Sequence, residues 1–263
     1  MIKKKKKSEM KQGVLEYLME EMFDVDESGV IEEFFFGEMA PYPMSQKEIM
    51  FVTRDNKRVR KLGIKNISQL KKEIIKIGGV VELHVGAWFP PEAKNIYYGV
   101  ACRNWLCFDF DISGDEDRCA GEDGCFCEGR EFCNKCFKKY LLDPAERLIQ
   151  TLQQDFNYWN IRVFFSGRRG LHVWVFEEQT LALSSEQRKA LVNYLQKKLG
   201  IQLDEQVTTH PKHCIRLPFS PHYGSGLHSI ELNVSDFATY TKYCKGGRDE
   251  FFSYLRPSFC GFK

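Results

Sequence analysis

No apolar run in the 263-residue chain approaches the roughly 20 residues that a membrane-crossing helix requires. The charged first residues are not followed by an apolar stretch either, so neither a membrane span nor a secretory signal is expected and the chain reads as intracellular. Charge of one sign is also not in excess. Lys and Arg number 38 against 36 Asp and Glu, a formal net charge of +2, which excludes a chain basic over its whole surface; any cationic surface must be local. The densest positive run, the five lysines of residues 3–7, reads as a solvated terminus rather than a targeting signal. Internal repeats and a Pro/Gly/Ser-rich linker are missing as well, so residues 1–263 read as one domain. With 43% hydrophobic and 28% charged residues, that domain has the composition of an ordinary folded protein. Cysteine, by contrast, is plentiful. Ten of them in a reducing compartment argue against a disulfide scaffold and for metal ligation of some.

The local patterns alternate helix and strand. Apolar residues at helical spacing in 12–23 predict an amphipathic helix, and residues 31–36 and 49–53 are short β-prone runs around the Pro41 and Pro43 loop. A Ser-capped helix is expected over 68–77, ending at Gly78-Gly79, followed by buried strands over 80–89 and 105–112. Residues 114–137 then change composition to Gly, Asp, Glu and Cys with almost no aliphatic residue, which marks an insertion held by something other than a core. Asp143 is the expected cap of the next helix, with Pro144 in its first turn. A strand over 162–165, a tight turn, a second strand over 171–176 and a helix over 185–199 stopped by Gly200 complete the pattern. The segment 203–234 holds short strands and loops rich in His and Pro. The fold class is therefore mixed α/β of the α+β kind, carrying a small Cys-rich knuckle.

Two constellations carry chemistry. Asp109 and Asp111 stand two apart on an otherwise apolar strand, so both carboxylates leave it on one face. Such a pair is costly unless a cation sits between, and oxygen ligands suit Mg²⁺ or Mn²⁺. An isolated pair of this kind is more often a strand that merely ends in acids; its company is what counts. That company is Ser166-Gly167-Arg168-Arg169-Gly170 with His172 beyond, a turn between two strands. Its glycines let backbone N–H groups approach an anion, and its Arg and His residues add donors on the same side, a cradle suited to a triphosphate.

Within 114–137, Cys133 and Cys136 form a C-x2-C pair that closes one edge of a tetrahedral zinc site, with Cys127 and either Cys125 or Cys119 as the further candidate ligands. Four thiolates leave no open coordination position, so a zinc there would be structural. Cys102, Cys107, Cys214, Cys244 and Cys260 read as buried or incidental.

In this order along the chain, the D-x-D strand, the Cys-rich knuckle and the S-G-x-x-G-x-H turn resemble the catalytic (small) subunit of the archaeal and eukaryotic DNA primases. Leu203-Asp204 with Val207 and Thr208 resembles that family's third-aspartate block, and Arg216 to His222 its basic-and-histidine block. Glu33-Phe34-Phe35-Phe36-Gly37 resembles the R-E-F-x-F region and Val85-Gly86-Ala87 the I-G-A strand, so the resemblance runs from about residue 30 to residue 235. It implies the archaeo-eukaryotic primase catalytic fold with an inserted zinc knuckle, and DNA-directed nucleotidyl transfer that makes short primers from nucleoside triphosphates on single-stranded DNA. Asp109, Asp111 and Asp204 would hold two Mg²⁺ or Mn²⁺ ions. Ser166, Gly167, Arg168, Arg169, His172, Arg216, His222 and Arg60 would bind nucleotide, with Arg60 on the template or nucleotide side.

Two positions depart from the family. His84 stands where eukaryotic members carry an acid, and Arg216 where many carry Lys, which turns a point charge into a fork. The resemblance further implies a large regulatory subunit as partner, and a replicative DNA polymerase as a further one. It places the protein in the nucleus of a eukaryote or the cytoplasm of an archaeon. The compact stretch between His172 and Asp204 is archaeal in style, whereas Ser-Gly-Arg-Arg-Gly is eukaryotic in style. Two other readings stay open: a primase-polymerase or repair polymerase of the same superfamily, and a non-catalytic, zinc-stabilised single-strand-binding module.

Overall fold

Runs rich in β-branched and aromatic residues form short antiparallel strands, and the Leu-, Lys- and Gln-rich runs between them form helices. The computed structural model describes residues 14–23, 29–91, 93, 102–111, 137–210, 212–225 and 227–233. Cys119, Cys125, Cys127, Cys133 and Cys136, the knuckle expected to bind zinc, lie outside the described residues. In chain order the elements are β1 Lys47–Thr53, β2 Arg58–Lys61, α1 Ile67–Ile77, β3 Val80–Trp88, β4 Leu106–Asp111, α2 Asp143–Phe156, β5 Ile161–Phe165, β6 Gly170–Val175, α3 Ser185–Leu199, α4 Glu205–Thr209, β7 Ile215–Arg216, β8 Pro221–His222, β9 Leu227–His228 and β10 Ile230–Leu232.

Two compact units share these elements, and neither is continuous in sequence. The first takes the described residues of Met1–Asn104 and of Lys212–Ser229; the second takes those of Trp105–Pro211 and the strand β10. Because the chain passes between units at positions such as 104/105 and 211/212, no linker composition marks the division.

The first unit is built on a four-stranded sheet in the order β2-β1-β3-β7, with β8 and β9 as a separate hairpin. Its core gathers Phe34, Phe35, Phe51, Leu83, Val85 and Trp88, and α1 adds Leu70 and Ile74. The second unit holds a sheet in the order β10-β5-β6-β4, all pairs antiparallel. Val163, Phe164, Val173 and Trp174 of that sheet are buried, as are Leu148 and Leu152 of α2 and Leu191, Val192 and Leu195 of α3.

Helix ends follow local chemistry. Ser184 and Gln187 form a reciprocal capping box at the start of α3, and Gly200 closes it in the left-handed region at φ 62°. α1 is capped by Asn66, whose side chain accepts from the Gln69 N–H at 2.9 Å, rather than by Ser68.

Two further expectations are overturned. The run Ile31–Phe36 is a π-helical turn, not a strand: Ile31, Phe34 and Phe35 are buried at helical spacing while Glu32 and Glu33 point outward, so tertiary burial outweighs the β-propensity of a short aromatic run. Asp143 is not a helix cap either. A π-helical turn Lys138–Leu142 precedes it, and Asp143 has helical dihedrals and donates its N–H to the Lys138 carbonyl. That wider turn carries the chain past Pro144, which has no N–H to give.

Candidate active site

Strand β4 is the edge of the second unit's sheet, and its pairing with β6 organises the site. Asp109 lies opposite His172 and Asp111 opposite Gly170. The His172 Nε2 stands 3.7 Å from the Asp109 Oδ1, and both side chains are largely buried, at 6% and 14% exposure. Asp111, at the strand end, is exposed. Gly170 is where the two motifs touch. A Cβ there would run into the Phe110 carbonyl and the Asp111 carboxylate and would press the Ser166 Oγ at 3.2 Å, so only glycine lets the turn lie against the acidic strand.

The turn is closed twice by one residue. Ser166 donates its N–H to the Gly170 carbonyl (2.9 Å), and its hydroxyl accepts the Gly170 N–H (3.0 Å). Gly167 takes a φ of 87°, in the left-handed region. Arg168 at the tip is exposed and Arg169 half-buried, while Ser166 and Gly167 are buried. A backbone bend with two cations at its tip is the arrangement expected of an anion cradle.

The third aspartate arrives along the open edge of β4. The Asp204 N–H donates to the Asp109 carbonyl at 3.0 Å, and the Thr208 hydroxyl donates to the Cys107 carbonyl at 2.8 Å. These carbonyls stand two apart on the edge strand, so residues 204–208 cover it much as a further strand would and satisfy its outward acceptors. Asp204 also caps α4, its Oδ1 accepting from the Gln206 N–H at 2.9 Å. Among the described residues, no three His, Cys, Asp or Glu side chains converge closely enough to hold a metal ion. The Asp204 carboxylate is turned toward its own helix start.

The remaining expected residues lie in the first unit. Arg60 on β2 pairs with the fully buried Glu48 of β1, and its Nη2 donates to the Lys212 carbonyl at 3.2 Å. Arg216 on β7 pairs with Glu82 at 3.0 Å, and its Nη1 donates to the Pro221 carbonyl at 2.8 Å. His222 on β8 accepts the Ser225 N–H on its Nδ1 at 3.1 Å, which places the proton of the neutral ring on Nε2. His84 lies opposite Arg216, and its Nε2 is 3.0 Å from the Glu82 Oε2. Burial lowers the His84 pKa from its ordinary value, although Glu82 pulls the other way.

Glu48 and Glu82 were missed in the sequence. The segment 33–37, compared there with R-E-F-x-F, is helical with Glu33 exposed. Lys47-Glu48-Ile49-Met50-Phe51 has the same basic–acidic–apolar–x–Phe order, forms β1 and carries the buried acid that pairs with Arg60. Beside it, the fully buried Lys47 sets its Nζ 3.2 Å from the centroid of the Trp88 ring and donates to Asn104. Of the thiols set aside in the sequence, Cys107 is buried and Cys102 and Cys214 half-buried, all three unbridged. Burial pushes the Cys214 thiol up to about 12.

The sequence model of the DNA primase small subunit family matches residues 108–198, which include Asp109, Asp111 and the whole turn. The DNA primase small subunit of Drosophila melanogaster is 31% identical over 165 residues, 61% of this chain and 36% of that protein. A DNA primase small subunit from Pyrobaculum calidifontis is 23% identical over 265 residues and 79% of both chains. The chain thus spans only about a third of the fly protein but most of the archaeal one. In fold it is similar to the polymerase domain of Mycobacterium tuberculosis ligase D, solved in complex with DNA. The TM-score is 0.53 at 14% identity, covering 93% of this chain and 88% of that one. The resemblance read from its motifs is therefore shown in sequence: this chain is similar to the small subunits of the archaeal and eukaryotic DNA primases.

Proposed function

We propose that this chain is the catalytic subunit of a DNA primase, joining nucleoside triphosphates into short primers on a single-stranded DNA template by two-metal nucleotidyl transfer. The observation that carries the reading is the register of β4 against β6. It sets Asp109 beside His172 and Asp111 beside Gly170, while the backbone of Asp204 bonds to that of Asp109. Three carboxylates with hard oxygen donors are the ligand set that suits Mg²⁺ or Mn²⁺. When bound, such ions supply charge for the attacking hydroxyl and for the leaving pyrophosphate.

The chain's own residues do the rest. Asp109, Asp111 and Asp204 would hold the ions. Ser166 and Gly167 shape the turn, and Arg168, Arg169 and His172 neutralise the triphosphate as negative charge moves toward it. Arg216 and His222 bind the nucleotide as well, with Arg60 on the template or nucleotide side. The cysteines Cys125, Cys127, Cys133 and Cys136, with Cys119 as the alternative fourth, would hold a structural Zn²⁺. A large regulatory subunit completes the enzyme.

Template-directed incorporation by the full chain with Mn²⁺ or Mg²⁺ tests this. Asp109→Ala and Asp111→Ala should each abolish incorporation while leaving the melting temperature close to that of the parent; retained incorporation in either would overturn the assignment. The fold similarity to a ligase-associated polymerase domain favours one second reading, a primase-polymerase or repair polymerase. Synthesis on an unprimed template excludes the repair polymerase, because only a priming enzyme starts without a 3′-hydroxyl.

A further inference from the structure

Strand periodicity puts Glu82 and His84 on one face of β3, and β7 and β8 bring two further donors to the same carboxylate. The Glu82 Oε2 is 3.0 Å from the Arg216 Nη1 and 3.0 Å from the His84 Nε2; its Oε1 accepts the Tyr223 N–H at 2.9 Å. One acid therefore ties together β3, β7 and the chain that leaves β8. The side chains of Glu82 and Arg216 are both 12% exposed, so the pair is shielded from most of the solvent. Burial alone would raise the Glu82 pKa, but His84, Arg216 and the Tyr223 N–H together hold it at about 2, so the group is ionised at any working pH.

A carboxylate beside a phosphate-binding arginine weakens the field that the arginine presents, so electrostatic attraction is not what the pair adds. Geometry is. The Arg216 Nη1 is held between two acceptors from different strands, Glu82 of β3 and the Pro221 carbonyl of β8, and two acceptors on one nitrogen fix the plane of the planar guanidinium. The Tyr223 N–H follows His222 directly, so the same carboxylate also sets the backbone that carries that histidine.

We propose that Glu82 is a positioning residue for nucleotide binding, which orients the Arg216 guanidinium and the β8 strand bearing His222. The proposal rests on the reading of Arg216 as a triphosphate-side residue. Glu82 acts through Arg216 rather than by touching the nucleotide, so its loss lowers affinity for the triphosphate without changing the chemical step.

Kinetics on the full chain test it, with ATP binding measured alongside by calorimetry. Glu82→Gln keeps size and acceptor oxygen but removes the charge. It should raise the KM for nucleoside triphosphate about tenfold and leave kcat within about threefold, since one charge-assisted contact is lost and the metal-binding aspartates are untouched. Glu82→Asp, which keeps the charge on a shorter arm, should fall between parent and Gln, and it carries the test if the Gln variant does not fold. In an Arg216→Lys background, Glu82→Gln should add less than about twofold, because the group it orients is already gone. An unchanged KM, a fall in kcat of the same size as the rise in KM, or full additivity with Arg216→Lys would each overturn the inference alone. A parent chain that neither binds ATP nor incorporates nucleotide would instead overturn the function proposed above, and this inference with it.

Discussion

Replacing Thr208 by Val removes one hydroxyl and almost no volume, and it isolates the contact that brings the third aspartate to the first. The Thr208 side chain is fully buried, and its hydroxyl donates to the Cys107 carbonyl at 2.8 Å on the outward edge of β4. Without that donor the carbonyl stays buried against a methyl group, and an unmade buried hydrogen bond of this kind costs about 2 kcal/mol. In a chain of this size such a loss lowers the melting temperature by about 5 °C.

The activity should fall by more than stability alone explains. Residues 204–208 are fixed to β4 by two contacts, the Asp204 N–H to the Asp109 carbonyl and the Thr208 hydroxyl to the Cys107 carbonyl. Losing one lets the segment pivot on the other, and a shift of about 1 Å in a catalytic group can reduce turnover about a hundredfold. The assay is incorporation of labelled nucleotide, with kcat and KM measured separately for Thr208→Val and Thr208→Ser beside a thermal melt. Serine keeps the hydroxyl and should retain most of kcat; valine should lose it with KM nearly unchanged. A valine variant that melts lower but turns over normally would refute the positioning argument. One that melts like the parent would refute the energetic one.

Three further outcomes are expected. Gly170→Ala should reduce incorporation at least as severely as it reduces stability, because its Cβ meets both the Phe110 carbonyl and the Asp111 carboxylate; parallel melting and incorporation assays decide it. Glu48→Leu, which strands Arg60 without its buried partner, should cost about 3 kcal/mol in urea unfolding, and adding Arg60→Leu should recover most of that. His228, buried and stacked on Tyr17, has its pKa lowered by burial to about 4 from 6.5. The unfolded chain therefore binds the proton first, and stability present above pH 6.5 is lost as the pH falls through 4, by about 3 kcal/mol. Denaturant melts at pH 7 and pH 4 should show His228→Phe less acid-sensitive than the parent by that amount.

Features set within one element were legible in the sequence. α3 runs over the expected residues because its cap, its last turn and its terminating Gly200 are all local chemistry. Asp109 and Asp111 share a face because the strand period is two, and the Ser166–Gly170 turn closes through residues four apart. What the sequence hid is what register decides. Glu48 and Arg60 meet because β1 and β2 pair with Ile49 opposite Lys61 and Met50 opposite Arg60, and nothing in either strand alone indicates it. His84 and Arg216 face one another across β3 and β7 although more than a hundred residues separate them in the chain, and Glu82 meets Arg216 through that same pairing.

The same dependence on register explains why the departure at position 84 was hard to interpret. In the sequence His84 was only an acid missing from its place. In the fold the acid stands at Glu82, on the same face of β3 and within reach of both His84 and Arg216. An acid two residues earlier on a strand keeps its face but changes its cross-strand partner. This surface of the sheet therefore carries a carboxylate at position 82 rather than at position 84. At Glu82 the carboxylate holds the arginine beside it.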